Sequence, residues 1–293
     1  MLLLMLVGLA LSRLGMLSEQ VSKGLGAILL KLVIPAVVLN AFLSQEGKGD
    51  LGELGLSFVL AALCLAVAVL LSWALWGRRR PIDDFSASYS NPSFFATPIV
   101  SALFGERAVF YLVGCILLLN LGQWTHGSWL ITGDARKVSP RAIATAPVVV
   151  AGAIGLACYL VRAPLPGVVT SAVGMLAQLN TPLAMLVLGS YLAQVSWRDL
   201  VLDASAYAPV AMRLVVAPLA AAALMAPLGL GATPLTMTVL LAAMSPVGAG
   251  VAIYAQQYEG DYPRAVRLVS LSTVLAIVSM PVVYELAEAL VTL

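Results

Sequence analysis

The strongest constraint on the fold is a series of apolar runs, each about as long as a membrane is thick. They are bounded by charges, glycine or proline and lie at about 1–17, 24–44, 54–76, 85–104, 107–132, 142–161, 168–195, 204–226, 234–256 and 265–291. About 20 apolar helical residues cross the ~30 Å hydrocarbon core of a bilayer. Only 10% of the residues are charged and 61% are hydrophobic, whereas soluble domains carry about 25% charged residues. The sequence therefore predicts an all-α membrane protein with ten transmembrane helices.

The basic residues indicate how these helices are oriented. If the N-terminus lies outside, eleven of the sixteen lysines and arginines fall in inner loops, three (Lys48, Arg107 and Arg162) in outer loops, and two within spans. Inner loops of membrane proteins are enriched in basic residues. We therefore expect a multi-pass protein of the cell (inner) membrane with both termini outside the cytoplasm. The first run lacks the basic N-terminal region of a signal peptide, so we expect it to be a transmembrane span. It is short for a span, and we therefore expect the true start codon to lie slightly upstream of Met1.

Two of the runs are interrupted at matching places by a polar residue followed by proline. Asn91-Pro92 interrupts the fourth run and Ser245-Pro246 the ninth, 154 positions apart in a chain of 293 residues. Proline lacks an amide hydrogen and clashes with the carbonyl one turn back, so it opens a helix. Open backbone at membrane depth is tolerated where it lines a cavity or is buried in protein. Such paired breaks are typical of the midplane binding site of a secondary transporter.

The halves also resemble each other elsewhere. Phe104–Val109 after the first break is similar to Tyr258–Val266 after the second, and Pro35 and Pro182 interrupt the second span of each half. Five spans per half is an odd number, so the halves have opposite orientations. We therefore predict two inverted five-helix repeats with broken crossover helices 4 and 9. The predicted segments are a first repeat at 1–132, a short cytoplasmic linker at 133–141 and a second repeat at 142–293.

Several of these segments resemble one family. The run Asn91–Val100, continued by Leu103–Glu106, resembles the fourth span of the auxin efflux carriers. Leu179–Leu192 is similar to their seventh span, Ala211–Pro218 to their eighth, and Tyr258 with its acidic neighbours to their ninth. No single motif is specific, but their order and spacing extend over nearly the whole chain.

The resemblance implies the ten-helix fold shared with the bile-acid/sodium symporter superfamily and an elevator-type, alternating-access mechanism. It further implies a homodimer formed through helices 1, 2, 6 and 7, and small carboxylates as substrates, such as auxins in plants and malonate or malate in bacteria. The segment between the halves, Gly133–Pro140, lacks the large hydrophilic insert of the plant carriers. That difference favours a bacterial organic-anion carrier over an auxin carrier.

Candidate site residues begin with the breaks themselves. A new half-helix offers free N–H groups and a partial positive charge, so a carboxylate can bind there without a lysine. Asn91, Pro92 and Ser93 occupy the first break, and Ser245 and Pro246 the second. Asn91 and Ser245 could line a ligand site or could simply cap the half-helices.

Polar side chains in neighbouring spans add further candidates. Asn120 and Gln123 lie three residues apart, on one face of the fifth span. Asn40 in the second span, and Asn180 and Thr181 in the seventh, lie beside the proline kinks. Each could contact substrate, and each could equally serve helix–helix hydrogen bonding.

Arg213 lies roughly ten residues into the eighth span, where an unpaired charge costs at least ~2.5–3.5 kcal/mol. Its partner could be opened carbonyls of the ninth span, the carboxylate of Asp203, or an anionic substrate. No Asp or Glu is predicted deep within a span, since Asp203, Glu285 and Glu288 lie near span ends. Coupling to Na⁺ or H⁺ therefore gains no support from a deep carboxylate.

The remaining chemistry-bearing residues point to no cofactor. There is one histidine, His126, the three cysteines lie at unrelated spacings, and no Gly-rich phosphate loop is present. We expect no cofactor, no metal and no nucleic-acid partner, only a small organic anion and the lipid bilayer. An intramembrane enzyme or a receptor is disfavoured, because neither a catalytic constellation nor a large output domain is apparent. The main alternative is a sodium-coupled symporter of the same fold for bile-acid-like or other organic anions.

Overall fold

The computed structural model describes residues 2–43, 51–134, 141, 144–161, 165–258 and 260–292, and these residues are overwhelmingly helical. The helices are α1 Leu2–Arg13, α2 Glu19–Leu43, α3 Leu51–Leu75, α4 Pro81–Ser88, α5 Pro92–Phe104, α6 Glu106–Thr132, α7 Pro147–Val161, α8 Gly167–Gln194, α9 Trp197–Leu202, α10 Ala204–Leu228, α11 Pro234–Met244, α12 Gly250–Gln257 and α13 Tyr262–Thr292. The linker predicted at 133–141 falls largely outside the described residues, as do Lys48 and Arg162.

In the part of the chain that the structure describes, six helices are long and apolar enough to cross a membrane, namely α2, α3, α6, α8, α10 and α13. The helices α1, α5, α7 and α11 are apolar but shorter. This distribution confirms the prediction of an all-helical, multi-pass membrane protein. The predicted fourth run divides into α4 and α5, and the predicted ninth run into α11 and α12, so both proline steps interrupt their helices.

Three other prolines disturb their helices in a similar way. A π-helical turn precedes Pro35 in α2, Pro98 in α5 and Pro218 in α10, and in each case proline is the second residue after the turn. Proline cannot donate the backbone hydrogen bond that an α-helix requires, and a wider turn accommodates the carbonyls this leaves. In α8, Pro182 follows a turn at Leu179 that separates the two halves of the helix.

The helices pack in two groups. In the first, α1 lies along the second half of α8, while α2 lies against α7 and the first half of α8. The contact between α1 and α8 is backbone to backbone, because a Cβ atom at Gly8 would overlap the carbonyl of Leu186, and one at Gly189 would overlap that of Met5. Close approach through small residues is a usual means of helix association in membranes. In the second group, α3 packs against α6, α10 and α11, and α13 packs against α10 and α12.

Charged side chains join three helix starts at one end of the molecule. Arg264 of α13 donates to Asp83 of α4 at 2.9 Å and to Asp203, just before α10, at 2.7 Å. Arg267 lies 3.4 Å from Asp203. The hydrogen bond from Ser205 and the positive charges of both arginines lower the pKa of Asp203 below its usual value. This network fixes α4, α10 and α13 relative to one another.

Candidate functional site

The two proline breaks meet in space. An antiparallel bridge pairs Ser90 with Val247, and the amide of Gly248 donates to the carbonyl of Tyr89 at 2.9 Å. The amide of Val247 is satisfied by the hydroxyl of Ser272 in α13 at 3.0 Å. Backbone groups that the helices leave open thus find partners across the junction, as buried backbone in a membrane must. We call Tyr89–Asn91 together with Ser245–Ala249 the junction.

Gly248 allows this close approach. A Cβ atom at this position would lie 3.0 Å from the carbonyl oxygen of Ser90 and 3.4 Å from that of Tyr89. Both neighbours are backbone atoms of the opposite break, so they cannot move aside by changing a rotamer. Only glycine fits without pushing the two segments apart.

A cavity of about 40 Å³ lies beside the junction, at the starts of α5 and α12. Its wall includes Ser90, Asn91, Pro92, Ser93 and Phe94 from the first break, Gly248, Ala249 and Gly250 from the second, Asn120 and Gln123 from α6, and Leu30 and Ile34 from α2. None of the residues that line it is charged. Two helix N-termini with their partial positive charges therefore border one small polar space.

The amide side chains in this wall have free hydrogen-bonding capacity. Asn91 is buried, and its Nδ2 has no hydrogen-bond partner among the described residues. Asn120 donates from Nδ2 to the carbonyl of Ile116 at 2.7 Å, and its oxygen has no hydrogen bond among the described residues. Gln123 Oε1 lies so close to Gly250 that a Cβ atom there would overlap it. An acceptor oxygen placed in the cavity would satisfy the buried amide of Asn91.

Asn180 contacts Ser93 of the cavity wall but does not itself border the cavity. It is buried and donates from Nδ2 to the carbonyl of Ser93, so it connects α8 to the first turn of α5. Its Oδ1 has no partner among the described residues. Asn180 therefore supports the cavity wall and does not itself line the cavity.

Arg213 is buried on the other side of the junction. Its Nη1 donates to the carbonyls of Ala87 at 3.2 Å and Ser88 at 2.9 Å, and its Nη2 donates to that of Ala243. These acceptors are the last carbonyls of α4 and α11, which carry partial negative charge. Of the three partners that the sequence allows, opened carbonyls are the ones found, one from the ninth span (Ala243) and two from the fourth (Ala87 and Ser88). The alternative partner, Asp203, is wrong, because Asp203 pairs with Arg264 and Arg267 at the end of the molecule.

The remaining predicted residues lie outside the cavity wall. Ser245 is fully buried and donates back to the carbonyl of Leu241 at 3.0 Å, while Pro246 is buried within the junction. Asn40 faces α8, where a Cβ atom at Gly174 would lie 3.6 Å from its Oδ1. Thr181 is half-buried beside Pro182. The cavity thus brings together Asn91, Pro92, Ser93, Asn120 and Gln123 from the predicted set.

Sequence reasoning missed two features of this region. The first is the pair Gly248 and Gly250, whose spacing within the second break could have signalled close backbone approach. The second is Asp84, which precedes the predicted fourth run but belongs to α4 and is fully buried. Asp84 and Ser88, four residues apart, could have indicated a polar helix face at this point.

The site contains no recognisable metal centre in the part of the chain that the structure describes. No group of three or more His, Cys, Asp or Glu side chains there could hold a metal ion. Cys64 and Cys115 are free and buried, as small core residues.

Comparison with known proteins places the chain in a family. The family model described as membrane transport protein matches residues 1–284. A protein named "Uncharacterized transporter" from Methanothermobacter thermautotrophicus is 27% identical over 294 aligned residues, which cover 96% of this chain and 94% of the relative. The match extends through both breaks and all the helices that form the junction. The chain therefore belongs to the auxin efflux carrier family of membrane transport proteins.

Proposed function

We propose that this protein is a secondary carrier that moves a small organic anion across the membrane by alternating access. The observation that carries the proposal is the cavity at the junction, where the starts of α5 and α12 border an unsatisfied amide of Asn91. Helix N-termini attract carboxylates through free N–H groups and their partial positive charge. No basic side chain lines the cavity, so the backbone and amides would provide the recognition.

The size of the cavity favours a short acid. At about 40 Å³ the cavity would have to widen to admit an organic acid. A short aliphatic carboxylate such as malonate or malate requires less widening than a bicyclic auxin-like acid. The wall also contains no Asp or Glu, so the sodium-coupled symporter of the same fold gains no support from it.

The proposed architecture is that of two inverted five-helix repeats, residues 1–132 and 142–293, joined by a cytoplasmic linker at 133–141. In this arrangement α4 with α5, and α11 with α12, form the two broken crossover spans of a ten-span protein. The antiparallel bridge between Ser90 and Val247 supports it, because segments related by inversion run in opposite directions where they cross. Alternating access would then proceed by movement of one group of helices against the other.

The grouping of helices supports an elevator-type movement. The first group, α1, α2, α7 and α8, would form a scaffold and, through its exposed apolar surface, a homodimer. The second group carries the junction and would move as the transport domain. The bond from Asn180 to Ser93 crosses the boundary between the groups, so this contact would have to change during transport.

The charge distribution supports the proposed orientation in an inner membrane. Arg78, Arg79 and Arg80 precede α4, at the end where Arg264 and Arg267 begin α13. Arg78 also stacks on Trp129 near the end of α6. By the positive-inside rule this end faces the cytoplasm, which would leave both termini outside.

The test is ligand-induced thermal stabilisation of the detergent-purified protein. Malonate, malate and indole-3-acetate would each be added with and without Na⁺, to wild type, to Asn91→Ala and to Asn40→Ala. The last variant is the matched control, because Asn40 is an amide outside the cavity wall. A ligand at ~100 times its Kd stabilises by about 2.7 kcal/mol.

We expect a short acid to stabilise wild type and Asn40→Ala, and to lose its effect in Asn91→Ala. Stabilisation that requires Na⁺ would instead support the symporter. An acid that stabilises Asn91→Ala as much as wild type, or a folded protein that no acid stabilises, would refute binding at the junction.

A further inference from the structure

Asp84 is a buried carboxyl group that the proposed anion site does not use. It lies in the first turn of α4 and is fully buried. Its Oδ1 lies 2.6 Å from the hydroxyl of Ser72 in α3 and 3.1 Å from that of Ser88. Its Oδ2 has no hydrogen-bond partner among the described residues.

The surrounding cations are committed to other groups. Arg264 binds Asp83 and Asp203, Arg267 lies against Asp203, and Arg213 binds three backbone carbonyls. The other titratable groups on the elements packed around Asp84 include Cys64, Arg78, Arg79, Asp83, Tyr89, His126, Tyr207, Arg213, Tyr254, Tyr262, Arg264 and Arg267. Arg78 stacks on Trp129, and Arg80 lies 3.8 Å from Asp83. Of the titratable groups, His126 is within electrostatic range of Asp84 and is hydrogen-bonded to Tyr89 at 3.0 Å. No ion pair with Asp84 occurs in the part of the chain that is described.

The two protonation states of Asp84 differ greatly in cost. A carboxylate here would place a negative charge in the interior with one oxygen bare, which is costly without a paired cation. A proton on Oδ2 removes that charge, while Oδ1 keeps both serine contacts. The environment therefore stabilises the neutral acid.

Asp84 is also connected to the junction. Ser88 contacts Asp84 through its hydroxyl and accepts from Arg213 through its carbonyl. Ser88, Ser90 and Arg213 line a second cavity of about 20 Å³, which is large enough for one water molecule. Polar groups thus extend from Asp84 through Ser88 to the crossing of the broken helices.

We propose that Asp84 is a proton-binding site that couples proton movement to the junction. Oδ2 takes one proton from water on one side of the membrane, which gives the neutral acid, and returns the same proton to water on the other side. Loss of the proton creates a charge beside Ser88 and thereby alters the contacts that hold Arg213 at the junction. The coupling role rests on the proposed carrier function, whereas the proton site itself does not.

Infrared difference spectroscopy of the purified, ligand-free protein tests the site directly. A protonated carboxylic acid has a C=O stretching band that a carboxylate lacks. Spectra recorded at neutral pH and during alkaline titration would be compared for wild type, Asp84→Asn, Ser88→Ala and Glu285→Gln. The last is the matched control, since Glu285 is an exposed carboxyl group in α13.

We expect a C=O band at neutral pH that is absent in Asp84→Asn, shifted in Ser88→Ala and unchanged in Glu285→Gln. The shift in Ser88→Ala keeps the test decisive if Asp84→Asn does not fold. Spectra in which neither variant alters a C=O band would overturn the assignment. Stabilisation by short acids is measured separately, so failure of the proton site and failure of the anion site are distinguishable.

Discussion

Asn180 donates its side-chain amide to the carbonyl oxygen of Ser93, and so joins the kink of α8 to the first turn of α5. Ser93 has this free carbonyl because, in the π-helical turn Pro92–Ala96, the amide of Thr97 bonds to the carbonyl of Pro92, and the next residue, Pro98, has no N–H to donate. The two helices belong to different groups of the fold. One buried hydrogen bond therefore links the cavity wall to the helices that we propose as the scaffold.

Replacing Asn180 with alanine removes this bond and leaves the Ser93 carbonyl without its partner. A buried polar group left unsatisfied costs ~1–3 kcal/mol, so we expect a lower midpoint of thermal unfolding in detergent. Thr181→Ala is the matched control, because no hydrogen bond of that hydroxyl is found among the described residues. Equal midpoints for the two variants would contradict a supporting role for Asn180.

Gly248→Ala tests the close approach of the two breaks. The new methyl group would lie 3.0 Å from the carbonyl oxygen of Ser90, and backbone would have to move. Overpacking of this kind typically costs ~1–3 kcal/mol. Gly55→Ala in α3 is the control, because a Cβ atom there has no neighbour within 4 Å and alanine favours a helix. The midpoint of thermal unfolding of Gly248→Ala should be well below that of Gly55→Ala. The reverse order of the two midpoints would be inconsistent with the junction geometry.

Gly250→Ala tests the amide of Gln123 in the cavity wall. A methyl group there would overlap Gln123 Oε1, the end of a flexible side chain, so Gln123 should move with little loss of stability. Loss of one hydrogen bond to a charged ligand costs ~1.5–3 kcal/mol, about 10- to 100-fold in Kd. Titration calorimetry with the acid that stabilises wild type would measure the change. Gly26→Ala is the control, because a Cβ atom there has no neighbour within 4 Å, and it should bind the acid with the affinity of wild type. Unchanged affinity in both variants would exclude Gln123 from the site.

Asp203→Asn tests the charged network at the end of the molecule. The hydrogen bond from Ser205 and the charges of Arg264 and Arg267 lower the pKa of Asp203 in the folded protein. A lowered pKa contributes stability above the unfolded value of ~3.9, and this contribution is lost as pH falls through the folded value. Asp203→Asn should therefore unfold at a lower temperature than wild type at neutral pH, and the difference should shrink below pH ~4.

Thermal unfolding from neutral to acidic pH measures this difference. Glu285→Gln is the control, since Glu285 is exposed and forms no ion pair among the described residues. Its midpoint should follow that of wild type at each pH. A gap between Asp203→Asn and wild type that is independent of pH would argue against stabilisation through the charge of Asp203.

Much of this structure follows from local sequence patterns. The apolar runs predict the helices because a bilayer requires long apolar segments with internally satisfied backbones. The proline steps at Pro92 and Pro246 predict the breaks because proline removes a donor wherever it occurs. Asn91, Asn120 and Gln123 could also be predicted as site residues from the sequence, because amide side chains are uncommon in otherwise apolar runs.

Other parts depend on contacts that no local pattern encodes. Arg213 binds carbonyls of Ala87, Ser88 and Ala243, and every residue has a carbonyl, so the sequence at those positions carries no signal. Asp84 was missed because hydropathy assigns a polar stretch to a loop, whereas tertiary packing buries α4. Of the chosen candidates, Ser245 illustrates the same limit, since its hydroxyl bonds within its own helix.

The pairing of Ser90 with Val247 has a consequence for how such a protein can diversify. The two strand-like segments are paired by main-chain atoms at Tyr89, Ser90, Val247 and Gly248, and the side chains that bind main chain beside this pairing are those of Arg213 and Ser272. Substitutions elsewhere around the crossing can therefore accumulate without separating the segments. Side chains that line the cavity can change, and ligand preference with them, while this main-chain pairing is kept.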